Sequence, residues 1–290
     1  MNTLISLTVY GLSDGALLAL AALGFVLIYK ATRVINFAQG EFLLVGAYMF
    51  YTAFVVMRLP LIFAAVFGVL VAIVLGVVVE RFVLRPLIGE HAISVIMVTI
   101  GLSAVLRAII QIFFGTAVRE QPPILPTGTI QVAGATVPLN RLIVIGVAAI
   151  VLFAFTAFFQ KSRHGVAMRA VADDQQAALT MGISVKRIFS LAWILAAISA
   201  LIAGVLLADL SAVEQGIAAF GLMVFPVVIL GGLDSVPGTV VGGLVIGLLK
   251  QYVSGYADPG LAEVIPYIVL VAILIVRPYG IFGETRIERV

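Results

Sequence analysis

Four polar residues recur at every fourth position inside one apolar run: Thr99, Ser103, Arg107 and Gln111. On a helix that spacing stacks all four on one face. Two hydroxyls, a guanidinium and an amide in line can offer a polar solute successive hydrogen-bonding groups. A charged side chain in hydrocarbon is costly and normally faces a bundle interior or a wet cavity. The plainer alternative is that Arg107, toward one end of its run, snorkels to the interface. Asp14, inside the first apolar run, is the candidate partner of Arg107. A second polar interval, Asn36-Phe37-Ala38-Gln39-Gly40-Glu41, opens a short apolar run, where the first N–H groups of a helix lack partners. Asn36, Gln39, Glu41, Thr99, Ser103 and Arg107 together form a candidate translocation path.

Catalytic chemistry has no comparable footing. A Gly-x-x-x-x-Gly-Lys-Ser/Thr loop that would cradle phosphates is absent. His91 and His164 have no ligand-spaced neighbours, so no metal site is expected. The chain has no cysteine, which excludes disulfides and thiolate ligands. Neither a catalytic residue nor a cofactor is expected, and nothing points to nucleic acid as a partner.

The elements that must position these residues are read from composition. Of 290 residues, 63% are hydrophobic and 11% charged, far below the roughly one quarter charged of a globular domain. The expected fold is all-α: a polytopic helical membrane protein of about eight transmembrane or re-entrant helices, with residues 1–290 as one membrane domain in a lipid bilayer. The apolar runs are 4–29, 42–57, 61–79, 92–114, 142–159, 188–208, 217–233, 236–252 and 262–276. The first lacks the basic start of a cleavable signal. Runs near 15 residues fall short of a roughly 30 Å core at about 1.5 Å per residue. The pair flanking Gly231–Gly238 therefore reads as two short spans or one re-entrant hairpin, and the count stands at seven to nine. Gly238 with Gly242, and Gly243 with Gly247, permit close helix contact.

Basic residues near span ends favour the cytoplasm. Lys30, Arg33, Arg81, Arg85, Lys161, Arg163, Arg169, Lys186 and Arg187 fall on one side if all runs cross. Arg58, Arg119 and Arg141 fall on the other. This puts the N-terminus outside and the C-terminal Arg277, Arg286 and Arg289 inside, which requires an odd number of crossings. The outer interval 115–141 carries Thr129–Val137, an alternating piece that reads as a hairpin about Ala133-Gly134.

The long polar interval 160–187 carries both signs of charge and reads as two short cytoplasmic helices. Asp173 or Asp174 can N-cap the second of them. Gly182 sits where a left-handed residue would stop it, and Ser184 can cap the following span. The interval is either a solvated connector or a docking surface for a soluble partner.

Val34–Phe42, followed by Gly46-Ala47-Tyr48, resembles the bacterial branched-chain amino acid ABC-transporter permeases. So do Thr99-Ile100-Gly101-Leu102-Ser103 and the glycine pattern of 231–247. Gln176-Ala177-Ala178-Leu179-Thr180-Met181-Gly182 is similar to the loop by which such permeases contact their ATPases, with Gln176 in place of Glu and no Leu-Pro downstream. The resemblance implies a permease subunit of an ATP-driven importer for branched-chain or other hydrophobic amino acids, in a bacterial inner membrane. It implies a second related permease, two ATPase subunits and an external binding protein as partners. It assigns ATPase coupling to Asp174, Gln176, Ala177, Ala178 and Gly182. The alternative from another class is a secondary transporter driven by an ion gradient, with Asp14 as its intramembrane acid.

Overall fold

The computed structural model describes residues 2–283 apart from 133, so Arg286 and Arg289 lie outside the described residues. Its helices are α1 (Asn2–Thr32), α2 (Gln39–Tyr51), α3 (Leu61–Val78), α4 (Ala92–Phe114), α5 (Leu139–Lys161), α6 (Arg163–Asp173), α7 (Gln175–Thr180), α8 (Val185–Leu210), α9 (Gly216–Leu222), α10 (Val224–Gly231), α11 (Val236–Tyr256) and α12 (Pro259–Val276). One hairpin, β1 (Thr129–Val132) with β2 (Ala135–Pro138), pairs antiparallel with Val132 opposite Ala135. It turns at Gly134 (φ +85°), as the alternation predicts. Among the described residues, eight helices are long and apolar enough to cross a membrane.

Loop contacts sort the molecule into two ends. At one end Arg119 and Val213 exchange backbone hydrogen bonds of 3.0 Å, and Asp209 accepts from the N–H groups of Ile124 and Leu125. Thr8 and Tyr252 share a 2.8 Å bond nearby, and the Arg119 guanidinium lies over the ring of Tyr51 at the end of α2. At the other end Ile281 and Phe282, past α12, donate to the carbonyls of Leu230 and Gly231. Between the two ends the chain makes nine passes, eight by the long helices and one by α9–α10. That ninth pass starts beyond Val213 at the first end and finishes at Gly231 at the second, so the re-entrant alternative does not hold. The termini of the described chain lie at opposite ends.

Two passes are discontinuous, and this explains why their apolar runs look short. The run from 217 breaks at Met223 into α9 and α10. The run from 42 is preceded by an extended segment, 33–38, which re-enters the bundle before α2 begins. The side-chain amide of Gln39 donates to Ala21 O, opposite the middle of α1. A helix that starts there needs fewer residues to reach the far side.

α1 is the hub. It is sheathed on all sides from Ala16 to Ile28, so no polar stripe is visible in its sequence. Small residues let its neighbours approach: a Cβ on Gly15 would stand 2.8 Å from Gly243 O, and one on Gly11 would stand 2.9 Å from Leu248 Cα. Gly243 faces Gly15 and Ala19 of α1, whereas Gly242 and Gly238 face Val227 and Gly231 of α10. The two glycine pairs thus serve two different helices. The outward faces of α3 and α12, and that of α4 apart from Arg107 and Gln111, are apolar, with Ile62, Phe63, Ile112, Phe113 and Ile275 exposed. Such a band suits lipid or another membrane subunit rather than water.

Candidate functional site

Non-helical backbone at membrane depth persists only where protein satisfies its polar groups. Residues 33–38 meet that demand through named partners. The N–H of Phe37 donates to Thr99 Oγ1 at 3.3 Å, and the Thr99 hydroxyl, with one proton to give, stands 2.9 Å from Ile96 O and 3.2 Å from Ile35 O. Asn36 Oδ1 accepts from the N–H of Ala38, and Asn36 Nδ2 donates to Gln39 Oε1 at 3.3 Å. Asn36, Gln39 and Thr99 are buried. The three therefore hold the break in the chain, whatever else they do.

Immediately beyond, Glu41 is 2% exposed and accepts a 2.5 Å charge-assisted bond from Arg107 Nη2. The Arg107 side chain is 44% exposed on the outward flank of α4. An unpaired buried carboxylate would be strongly destabilising, so the pair explains how Glu41 is tolerated. Against the expectation that Arg107 pairs with Asp14, Asp14 is ion-paired with Arg141 at the head of α5 and accepts from Gln251 Nε2 at 2.6 Å. The sequence places both acids and Arg107 within membrane spans but does not fix the direction in which each helix points them.

The stripe on α4 is thus split by depth. Thr99 is buried against segment 33–38, Ser103 is half-buried, and Arg107 and Gln111 are exposed. Glycines close the bundle behind it: a Cβ on Gly40 would overlap Ala218 O, and one on Gly221 would overlap Gly40. The two discontinuous passes therefore meet backbone to backbone beside Glu41.

At the opposite end of the molecule from Arg119, α6 and α7 link α5 to α8. Ser162 caps α6 by accepting from the N–H of Gly165. Asp174 caps α7, accepting from the N–H groups of Gln176 and Ala177 at 2.8 and 3.0 Å. Gly182 is left-handed (φ +79°), its N–H donates to Leu179 O at 3.0 Å, and a Cβ there would meet open space, so it makes the turn. Ser184 occupies the cap position of α8 without a side-chain bond. Ala178 is buried within the chain itself. The surface turned outward is Gln176, Ala177, Leu179 and Met181, with Met181 81% exposed.

The profile of the family described as branched-chain amino acid transport system / permease component matches residues 7–274. The chain belongs to that family. A relative is the high-affinity branched-chain amino acid transport system permease protein BraD of Pseudomonas aeruginosa, 29% identical over 296 residues, covering 97% of this chain and 96% of BraD. The permease proteins LivH of Salmonella typhimurium and of Escherichia coli K12 are each 29% identical over 294 residues, with the same coverage. The chain is therefore a polytopic membrane permease component of a transport system. The family gives no support to the ion-coupled alternative, and Asp14, its one candidate acid, is held in an ion pair.

Thr99 offers a direct check on the site. Thr99→Val keeps the shape but removes the hydroxyl, leaving the Phe37 N–H without its partner. The expected loss is about 1–3 kcal/mol, seen as a lower Tm of the purified protein, while Thr99→Ser stays near wild type. Equal Tm values for the two variants would contradict this role.

Proposed function

We propose that the chain is a membrane-spanning permease subunit of an ATP-driven importer for branched-chain or other hydrophobic amino acids. The observation that carries this reading is the family match along nearly the whole chain, and the substrate is the one in the names of BraD and LivH. The partners are a second related permease, two ATPase subunits and an external binding protein, in a bacterial inner membrane. Residues 1–290 act as one permease unit. Asn36, Gln39, Glu41, Thr99, Ser103 and Arg107 border the path. The exposed flank of α4 supports that role, because a guanidinium held there by Glu41 would face hydrocarbon unless a companion subunit or a wet path covers it.

In this reading the N-terminus is outside, and α6–α7 face the cytoplasm. The support is the basic character of that end, which gathers Lys30, Arg33, Arg85, Lys161, Arg163, Arg169, Lys186 and Arg187. The chain lacks cysteine, so single cysteines at Ser162 and Thr127 report orientation. An impermeant thiol reagent on intact cells is expected to label the second only; labelling of the first alone would reverse the assignment.

The segment 160–187 couples the permease to its ATPases. Asp174 and Gly182 shape it, and Gln176, Ala177, Leu179 and Met181 supply the contact. Ala178→Arg would disrupt the segment's own packing, so it does not isolate the contact. Met181→Asp alters an exposed side chain alone. In proteoliposomes of the assembled transporter, uptake is expected to follow lumenal ATP and ignore an ion gradient. Met181→Asp is expected to lower both ATPase co-purification and uptake, by roughly tenfold if Met181 anchors the interface. Gradient-driven uptake without ATP would overturn the importer reading, and full recruitment by Met181→Asp would overturn the contact.

A further inference from the structure

At the same end of the molecule as α6 and α7, a cavity of about 270 Å³ opens between the ends of α1, α3, α4 and α8. It lies below the roughly 300–1,000 Å³ of drug-sized ligand sites, which suits one small metabolite. Its walls join apolar surface to charge of both signs. Phe189 and Trp193 of α8 and Val95 of α4 form the apolar side. Arg33, Glu80, Arg85 and Glu90 form the charged side.

Two of those four charges are already matched. Glu80, 1% exposed, takes two bonds from Arg85, at 2.9 and 2.7 Å, and one from Ser190 at 2.5 Å. Glu80 sits in a π-helical stretch, Val79–Leu84, a local widening of the helix often found at functional sites. Arg33 and Glu90 are in no ion pair among the described residues. The side-chain bond of Arg33 is a long one, 3.5 Å to Ala172 O. Its backbone is left-handed (φ +58°), unusual for a side chain other than glycine, and ends α1 with its N–H on Tyr29 O at 2.8 Å. The Arg33 guanidinium also lies over the Tyr29 ring at 5.7 Å, a contact that leaves its charge without an anion. A cation and an anion outside any ion pair among the described residues, with an aromatic-lined apolar wall, complement a zwitterion with an apolar side chain. Arg33 would take its carboxylate and Glu90 its ammonium.

The cavity touches both parts of the transport machinery. Ile35, whose carbonyl lies 3.2 Å from the Thr99 hydroxyl, belongs to its wall. So does Gln175, the first residue of α7. An occupant bridges the broken backbone of the path and the segment that meets the ATPases, and it resists any motion of one relative to the other.

We infer that this cavity binds a hydrophobic amino acid from the cytoplasmic side and restrains the transport cycle, so that the imported product limits its own uptake. The inference rests on the proposed function for its orientation and its class of substrate. It adds a second, regulatory site to the transported solute's path.

The test uses the assembled transporter in proteoliposomes with the ATPases inside, and L-leucine as the probe. Lumenal ATP is supplied with increasing lumenal L-leucine, and hydrolysis stimulated by the binding protein is measured beside initial uptake. For each protein the rate is divided by its own rate without lumenal leucine, so differences in basal activity cancel. Wild type is expected to slow in a saturable way. Arg33→Gln and, independently, the exposed-loop variant Glu90→Gln are each expected to need roughly tenfold more leucine for the same slowing, the change a lost charge-assisted contact produces. Rates that ignore lumenal leucine in wild type, or variants inhibited like wild type, would overturn the regulatory site while leaving the importer reading intact. Absence of any ATP-driven leucine uptake would overturn both.

Discussion

A carboxylate with almost no access to water sets the terms for the helices around it. Glu41 stands in the first turn of α2, beside the contact of α2 with α9, and among the described residues its ion-pair partner is Arg107. In a medium of low dielectric an isolated carboxylate would shed its charge or open the bundle. The guanidinium must therefore stay within reach, which fixes the rotation of α4 and leaves the rest of that helix's stripe on an open flank. The same pair keeps a cation in a position where lipid would not tolerate it bare.

The geometry that brings Glu41 to that depth depends on backbone rather than on side chains. Segment 33–38 gives up helical bonds and recovers them from Thr99, Asn36 and Gln39. α9–α10 makes a matching concession at Met223. Glycines at 40 and 221 let the two broken passes touch, a contact closed to any side chain. A transporter has reason to keep such joints, because each is a place where short rigid pieces can move relative to one another without unfolding a long helix. The clasp of Asp14, Arg141 and Gln251 ties α1, α5 and α11 together without involving either joint.

Much of this was legible in the sequence. Hydropathy placed the long helices, the alternation and turn residues placed the hairpin of β1 and β2, and Asp174 and Gly182 marked the limits of α7. The fourfold spacing on α4 correctly put Thr99 and Arg107 on one face, and both meet the segment 35–41. Other features were hidden for physical reasons. Periodicity gives a face but not its azimuth, so Asp14 and Arg141, 127 residues apart, could not be matched, nor Glu41 with Arg107. A short apolar run looks the same whether it spans, returns or is completed by extended backbone, so the crossings at 33–56 and 211–231 needed coordinates. Small residues in a loop read equally well as a partner contact or as internal packing, and the burial of Ala178 within the chain needed coordinates. Arg33 carries no local sign of its left-handed backbone.

The central claim is that Glu41 and Arg107 act as one unit at the heart of the permease. A double-mutant cycle on uptake tests it most directly, with Glu41→Gln, Arg107→Gln and the combined variant assembled into the same transporter at equal expression. The account predicts that each single variant loses most activity, Arg107→Gln because it strands a buried charge. The combined variant should lose less than the product of the two, with a coupling of about 1–3 kcal/mol. Losses that simply multiply would show two residues acting independently and would contradict the account.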